Sequence, residues 1–140
     1  MKKKKLEIEY SYDFGLLGLT SASKGYKLAW EINNLLHVKL IRKDDVVIHQ
    51  KNNTECHYSC FSYESEVNTI RLFRNKPNDT DTTRNFLVPE FPHYDYILLS
   101  QGEEHLDSKR LQEVLRNIPS IELVAFIPLG ALKSKDNFIF

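Results

Sequence analysis

An α+β fold is predicted by three features of the sequence: apolar alternation in the first segment, two stretches of helical periodicity, and short β-rich runs between them. The order strand, helix, several strands, helix, strand suggests a two-layer sandwich. One mainly antiparallel sheet carries two helices on one face, and a ferredoxin-like core is the expected topology.

Leu6, Ile8, Tyr10, Tyr12 and Phe14 recur at period two, which predicts a strand over 5–19 with one buried face. Gly15 and Gly18 interrupt it and mark a bulge or a close backbone approach. Thr20, Ser21, Ala22 and Ser23 then supply N-cap oxygens ahead of Leu28, Ala29, Ile32, Leu35 and Leu36, which repeat at helical spacing. The first helix is placed at 22–37. Tyr26 and Trp30 flank its apolar stripe and are expected to extend the buried face.

Between 38 and 88, polar clusters separate Val46 to His49, Glu55 to Tyr63, Thr69 to Arg74 and Arg84 to Val88, which read as antiparallel strands. Lys76 to Thr83 has no apolar anchor and is expected to be a mobile loop. Tyr94 to Ser100 contains Ile97, Leu98 and Leu99, apolar on both faces as in a central strand. The second helix has Asp107 as cap, Leu106 and Leu111 as staple, and Leu111, Val114, Leu115 and Ile118 as stripe, with Pro119 as stop. Ile121 to Ile127 is a further central strand, and the closing Phe138-Ile139-Phe140 is expected to dock on the body.

The chain has 140 residues with 19 basic and 19 acidic side chains, and it reads as one domain over 1–140. A chain of this length buries about two-thirds of its unfolded surface, so its core requires no disulfide, metal or cofactor. No run approaches the roughly 20 apolar residues of a membrane span. Lys2 to Lys5 are followed by Leu6-Glu7-Ile8-Glu9-Tyr10, which carry charge where a signal peptide is apolar. With only two cysteines, the expected location is the cytoplasm. The one basic cluster is this short lysine tail, with residues 1–4 read as flexible, so nucleic acid is disfavoured as a partner.

No reactive constellation stands out. Cys56 and Cys60, if on a strand, share a face at about 13 Å, too far for a disulfide or for one zinc ion. His57 points to the opposite face, so both cysteines read as structural. The five histidines lack metal-binding spacing, and neither a nucleophile signature nor a phosphate loop is present. Glu103, Glu104, His105 and Asp107 form an acidic turn before a helix, where a solvated turn explains them. No catalytic, cofactor-binding or metal-binding residue is assigned.

The most specific segment is Val88-Pro89-Glu90-Phe91-Pro92-His93-Tyr94-Asp95-Tyr96. Its two prolines force an extended crossing between strands. Asp95 stands at the head of an apolar strand, so its carboxylate must find donors, either backbone N–H groups or a basic side chain. A structural clasp is expected there. The segment resembles the motif of the IPExxxVDY family of small bacterial proteins, chiefly from Bacteroidota, with Val88, Pro89 and Glu90, three free positions, then Tyr94, Asp95 and Tyr96. Val88 stands for isoleucine and Tyr94 for valine. The likeness extends to the lysine-rich start, Asp13-Phe14 to Gly18-Leu19, Tyr26 to Trp30 with Asn33, and Leu132 to Phe140. It implies no activity, and the role of the motif residues stays open.

Sequence alone therefore points to a non-enzymatic binding or accessory module whose partner is another protein or a second copy of itself. The rival is a small-ligand sensor or enzyme with a pocket near Glu90, Asp95 and His93, and a third reading has the lysine tail bind RNA.

Overall fold

The computed structural model describes residues 14–49, 55–66, 68–77, 86–102 and 108–132. The expectations for the lysine tail, for 5–13, for most of the 76–83 loop, for Glu103 to Asp107 and for Phe138 to Phe140 lie outside these residues.

Six strands and two helices follow in the order β1 (Phe14–Ser21), α1 (Gly25–Leu36), β2 (Ile41–His49), β3 (Glu55–Glu64), β4 (Asn68–Arg74), β5 (Tyr96–Gly102), α2 (Ser108–Leu115) and β6 (Ile121–Ile127), with a short 3₁₀ turn at Leu129–Ala131. The strands form one antiparallel sheet, ordered β2-β3-β4-β5-β1-β6, so Ile121–Ile127, expected as a central strand, is an edge strand with Leu123 and Phe126 exposed. β1 lies between β5 and β6, with Leu17 opposite Leu98 on one side and Phe126 on the other.

Period-two alternation divides the apolar residues between two faces. Leu17 and Leu19 of β1, Leu72 of β4, Tyr96 and Leu98 of β5 and Val124 of β6 meet Leu28, Ala29 and Ile32 of α1 and Leu111 and Leu115 of α2. On the opposite face, Phe14, Leu16, Tyr58, Phe73, Ile97, Leu99 and Ile127 meet Leu87, Val88, Tyr94 and Leu132. The helices sit on one face as expected. The second face is also buried, beneath Leu87, Val88 and Tyr94 of the segment that enters β5 and beneath Leu132.

That segment corrects one expected strand. Of the strand expected over Arg84 to Val88, residues 84 and 85 lie outside the described residues, and Phe86 to Val88 join no strand. β4 already pairs with β3 on one edge and β5 on the other, so no edge is open to them. Instead, the Leu87 and Val88 N–H groups are taken by Asn75, and Pro89 turns the chain away.

α1 begins at Gly25, three residues after its expected start, because β1 continues to Ser21 through a register shift against β6. Lys24 is the N-cap and makes no side-chain capping bond. Tyr26 and Trp30 are 64% and 63% exposed, contrary to expectation. They precede the buried Leu28 and Ile32 by two positions, about 200° round a helix of 3.6 residues per turn, which takes them out of the buried stripe. The helix ends at His37, whose φ of 59° is left-handed, and the Asn33 side chain ties the exit to Leu40, accepting from its N–H at 2.8 Å. β2 runs further than expected, from Ile41, as an exposed edge strand broken between Lys43 and Val46.

At Gly18 the packing leaves no room for a side chain: a Cβ there would overlap the Tyr94 ring, which rests against β1. Gly18→Ala should therefore destabilise the protein by about 1–3 kcal/mol in urea denaturation, as overpacking does. Gly15→Ala, whose Cβ meets nothing within 4 Å, should be neutral or stabilising. Combined with Tyr94→Ala, the Gly18 change should cost less than the two single effects added together. Additive costs would mean that the ring does not rest on Gly18.

Candidate functional site

The site is built from the crossing upward. Asn75 follows β4 and is fully buried, and its carboxamide is held on both atoms. Nδ2 donates to the Phe91 carbonyl at 3.1 Å and the Tyr94 carbonyl at 2.9 Å, while Oδ1 accepts from the Val88 N–H at 2.8 Å. Its backbone N–H donates to the Asp95 carbonyl at 2.9 Å, and its carbonyl accepts from the Leu87 N–H at 2.8 Å. One side chain thus fixes both ends of the proline crossing.

Asp95 continues the clasp onto β1. Its N–H donates to the Leu19 carbonyl at 2.8 Å, and its carboxylate Oδ2 accepts from the Ser21 N–H at 2.9 Å. The donor required by a carboxylate at this position is therefore backbone, at the point where β1 shifts register. Ser21 Oγ then accepts from the Ser23 N–H at 3.2 Å, and the Tyr96 hydroxyl donates to the Ser23 carbonyl at 2.6 Å. Together these bonds brace residues 21–24, the turn that leads into α1.

Of the other motif residues, Val88 and Tyr94 are buried in the second core layer, Pro89 is exposed, and Glu90 is partly exposed in a turn. His93 is exposed, with its ring centroid 4.3 Å from that of Tyr94. Neither Glu90, His93 nor Asp95 lines either of the two cavities described below.

The braced turn walls a cavity of about 440 Å³ on the helix face of the sheet. Lys24 from the turn, Arg42 from β2 and Arg74 from β4 line it, together with Tyr26, Phe61 and Tyr96. Among the described residues no carboxylate, histidine or cysteine belongs to the lining. Arg42 pairs with Asp45 and lies 5.8 Å from the Phe61 ring centroid, an arrangement that holds the guanidinium over an aromatic face. Arg74 stands opposite Tyr96 across the β4–β5 ladder. Among the described residues neither Arg74 nor Lys24 has an ion-pair partner. Burial raises the Tyr96 phenol above its usual range, against the opposing pull of Arg74. Gly25 lets Phe61 close against the turn, since a Cβ there would meet the ring at 3.2 Å.

A second cavity of about 500 Å³ adjoins the first and shares Lys24 and Tyr26 with it. Its remaining wall includes Lys27, Ser120 and Glu122. The Ser120 hydroxyl donates to Glu31 at 2.6 Å. None of the cationic lining residues was singled out by spacing in the sequence, because they come from three separate elements.

The cysteines lie elsewhere. Cys56 and Cys60 are both buried free thiols on the face away from the helices, and His57 projects to the other face. Burial is the main reason that the Cys60 thiol is pushed up to about 11, with Arg71 and Arg42 opposing it. The unfolded thiol ionises nearer 9.0, so at pH between these values the unfolded chain loses the proton first. This contribution to stability is complete below about pH 9 and disappears as pH rises towards 11. Cys60→Ala should flatten that alkaline loss in denaturation midpoints measured from pH 8 to 11, and an unchanged slope would contradict the assignment.

Removing the Asn75 carboxamide leaves two carbonyls and one N–H without that partner. Asn75→Ala should therefore cost about 3 kcal/mol, and Asp95→Ala, which strands one N–H, about 1–2 kcal/mol. Equal losses in chemical denaturation would mean that the clasp is not centred on Asn75.

Among the described residues no helix is long and apolar enough to cross a membrane. No family model, no curated protein and no solved structure matches the chain, and the functional reading rests on the geometry of the cavity itself.

Proposed function

We propose that the protein is a non-enzymatic cytoplasmic binding module whose ligand presents an anionic group to the cavity at the start of α1. The observation that carries this is the convergence of Lys24, Arg42 and Arg74 on one cavity whose described lining residues include no carboxylate. Arg42 is already paired with Asp45, but Lys24 and Arg74 add two further positive charges beside aromatic walls, and an anion relieves their repulsion. Arginines also match a phosphate or carboxylate with paired N–H donors. The dipole of α1 adds charge of the same sign.

Binding is favoured over catalysis because the described lining of this cavity offers no imidazole, carboxylate or thiol as general base. The Tyr96 hydroxyl already donates to Ser23, and its proton is held more tightly than usual. A second reading, a module for a protein partner, is favoured by Tyr26 and Trp30, large aromatics left exposed one turn apart on α1. The motif at 88–96 supports membership of the IPExxxVDY family. The order β6-β1-β5-β4, with α1 between β1 and β4 in the chain and α2 between β5 and β6, supports a ferredoxin-like core with β2 and β3 as an inserted hairpin.

Titration with inorganic pyrophosphate at low salt tests the anion reading. Thermal stability should rise with saturation, as ligand binding to the folded state requires. Arg74→Ala should weaken the apparent affinity by about tenfold, on the scale of one charge-assisted hydrogen bond. Lys39→Ala, an exposed change outside both cavities, should leave it unaltered. The absence of a saturable shift, or equal effects of the two changes, would overturn the assignment.

A further inference from the structure

The two adjoining cavities differ in charge, and they meet at Tyr26. Among the described residues the first is lined by Lys24, Arg42 and Arg74 and no acid, whereas the second sets Glu122 against Lys24 and Lys27. A ligand that fills both has an anionic end and a polar end that is not strongly anionic. Tyr26, common to both walls and 64% exposed, stands between them as a large flat surface in water. A planar ring laid on Tyr26 would cover that surface, and aromatic stacking accepts any heteroaromatic face. Glu122 in the second cavity can accept hydrogen bonds from ring amino groups, which a phosphate cannot donate.

Resting on the anion-binding reading above, we infer that the ligand is a nucleoside phosphate, with its phosphate among Lys24, Arg42 and Arg74 and its base on Tyr26 towards Glu122. The size of the first cavity lies in the range of small-molecule sites.

Calorimetric titration of the full chain with AMP, GMP, ribose 5-phosphate and inorganic phosphate separates the two claims. AMP or GMP should bind about tenfold more tightly than ribose 5-phosphate, the scale of one base stacked on one aromatic side chain. Tyr26→Ala should remove that advantage while leaving ribose 5-phosphate affinity unchanged, and Arg74→Ala should weaken all the phosphates. Because Tyr26 is exposed, its removal should not prevent folding, and circular dichroism verifies this. If ribose 5-phosphate and both nucleotides bind equally, with the same loss in Arg74→Ala, the nucleoside inference fails and the anion reading stands. If none of the four binds, both fail.

Discussion

The carboxamide of Asn75 is the constraint on which the rest depends. β4 and β5 are neighbours in the sheet, yet the chain between them is a long crossing and not a tight hairpin. A crossing of that kind carries backbone groups that have no ladder to join, and burying them unpaired costs more than most single contacts return. Asn75 offers both donors and an acceptor from one short side chain, and it satisfies Val88, Phe91 and Tyr94 at once. With those three residues fixed, Leu87 and Val88 are pressed onto the second face of the sheet and Tyr94 onto Gly18. An irregular segment thereby does what a third layer of regular structure does in other folds.

Elements whose burial follows a simple period were legible in the sequence. The apolar faces of both helices belong to this group, because one repeating pattern decides which side faces the core, whereas Ile121–Ile127 was legible as a strand but not as an edge strand, where Leu123 and Phe126 are left exposed. The Asp95 bond was legible for another reason: a carboxylate at the head of an apolar strand has few alternatives to a backbone donor. Asn75 was not legible. It sits in a polar stretch where an asparagine ordinarily marks a turn, and its burial is created by a segment more than ten residues later. Tyr26 and Trp30 were misplaced because size was weighed above phase, although two positions along a helix reverse the direction in which a side chain points.

The cavity was hidden for a related reason. The chain is neutral in sum, and its only run of like charge is the lysine tail. Arg42 and Arg74 are isolated on β2 and β4, strands otherwise separated by β3, and Lys24 belongs to a turn. Each alone reads as a solvated residue at an edge or end. Antiparallel pairing puts Arg42 opposite Phe61 and Arg74 opposite Tyr96, so both guanidiniums share a face with aromatic rings. Local charge is thus a property of register, which net charge cannot report.

Register also explains how a motif without reactive chemistry can serve a site. Asp95 and Tyr96 touch the turn at Ser21 and Ser23 through hydrogen bonds to backbone, one on each side of the strand end. That turn carries Lys24 into the cavity, while Tyr96 itself forms part of the wall. On the other side of the clasp, Asn75 directly follows Arg74, so the same knot that holds the crossing also sets where that guanidinium leaves the sheet. Bound geometry held by neighbouring packing loses less conformational freedom when a ligand arrives. The second core layer and the cavity therefore lie on opposite faces of the sheet but are positioned by one set of bonds, and a substitution that loosens the first also misplaces the charges of the second.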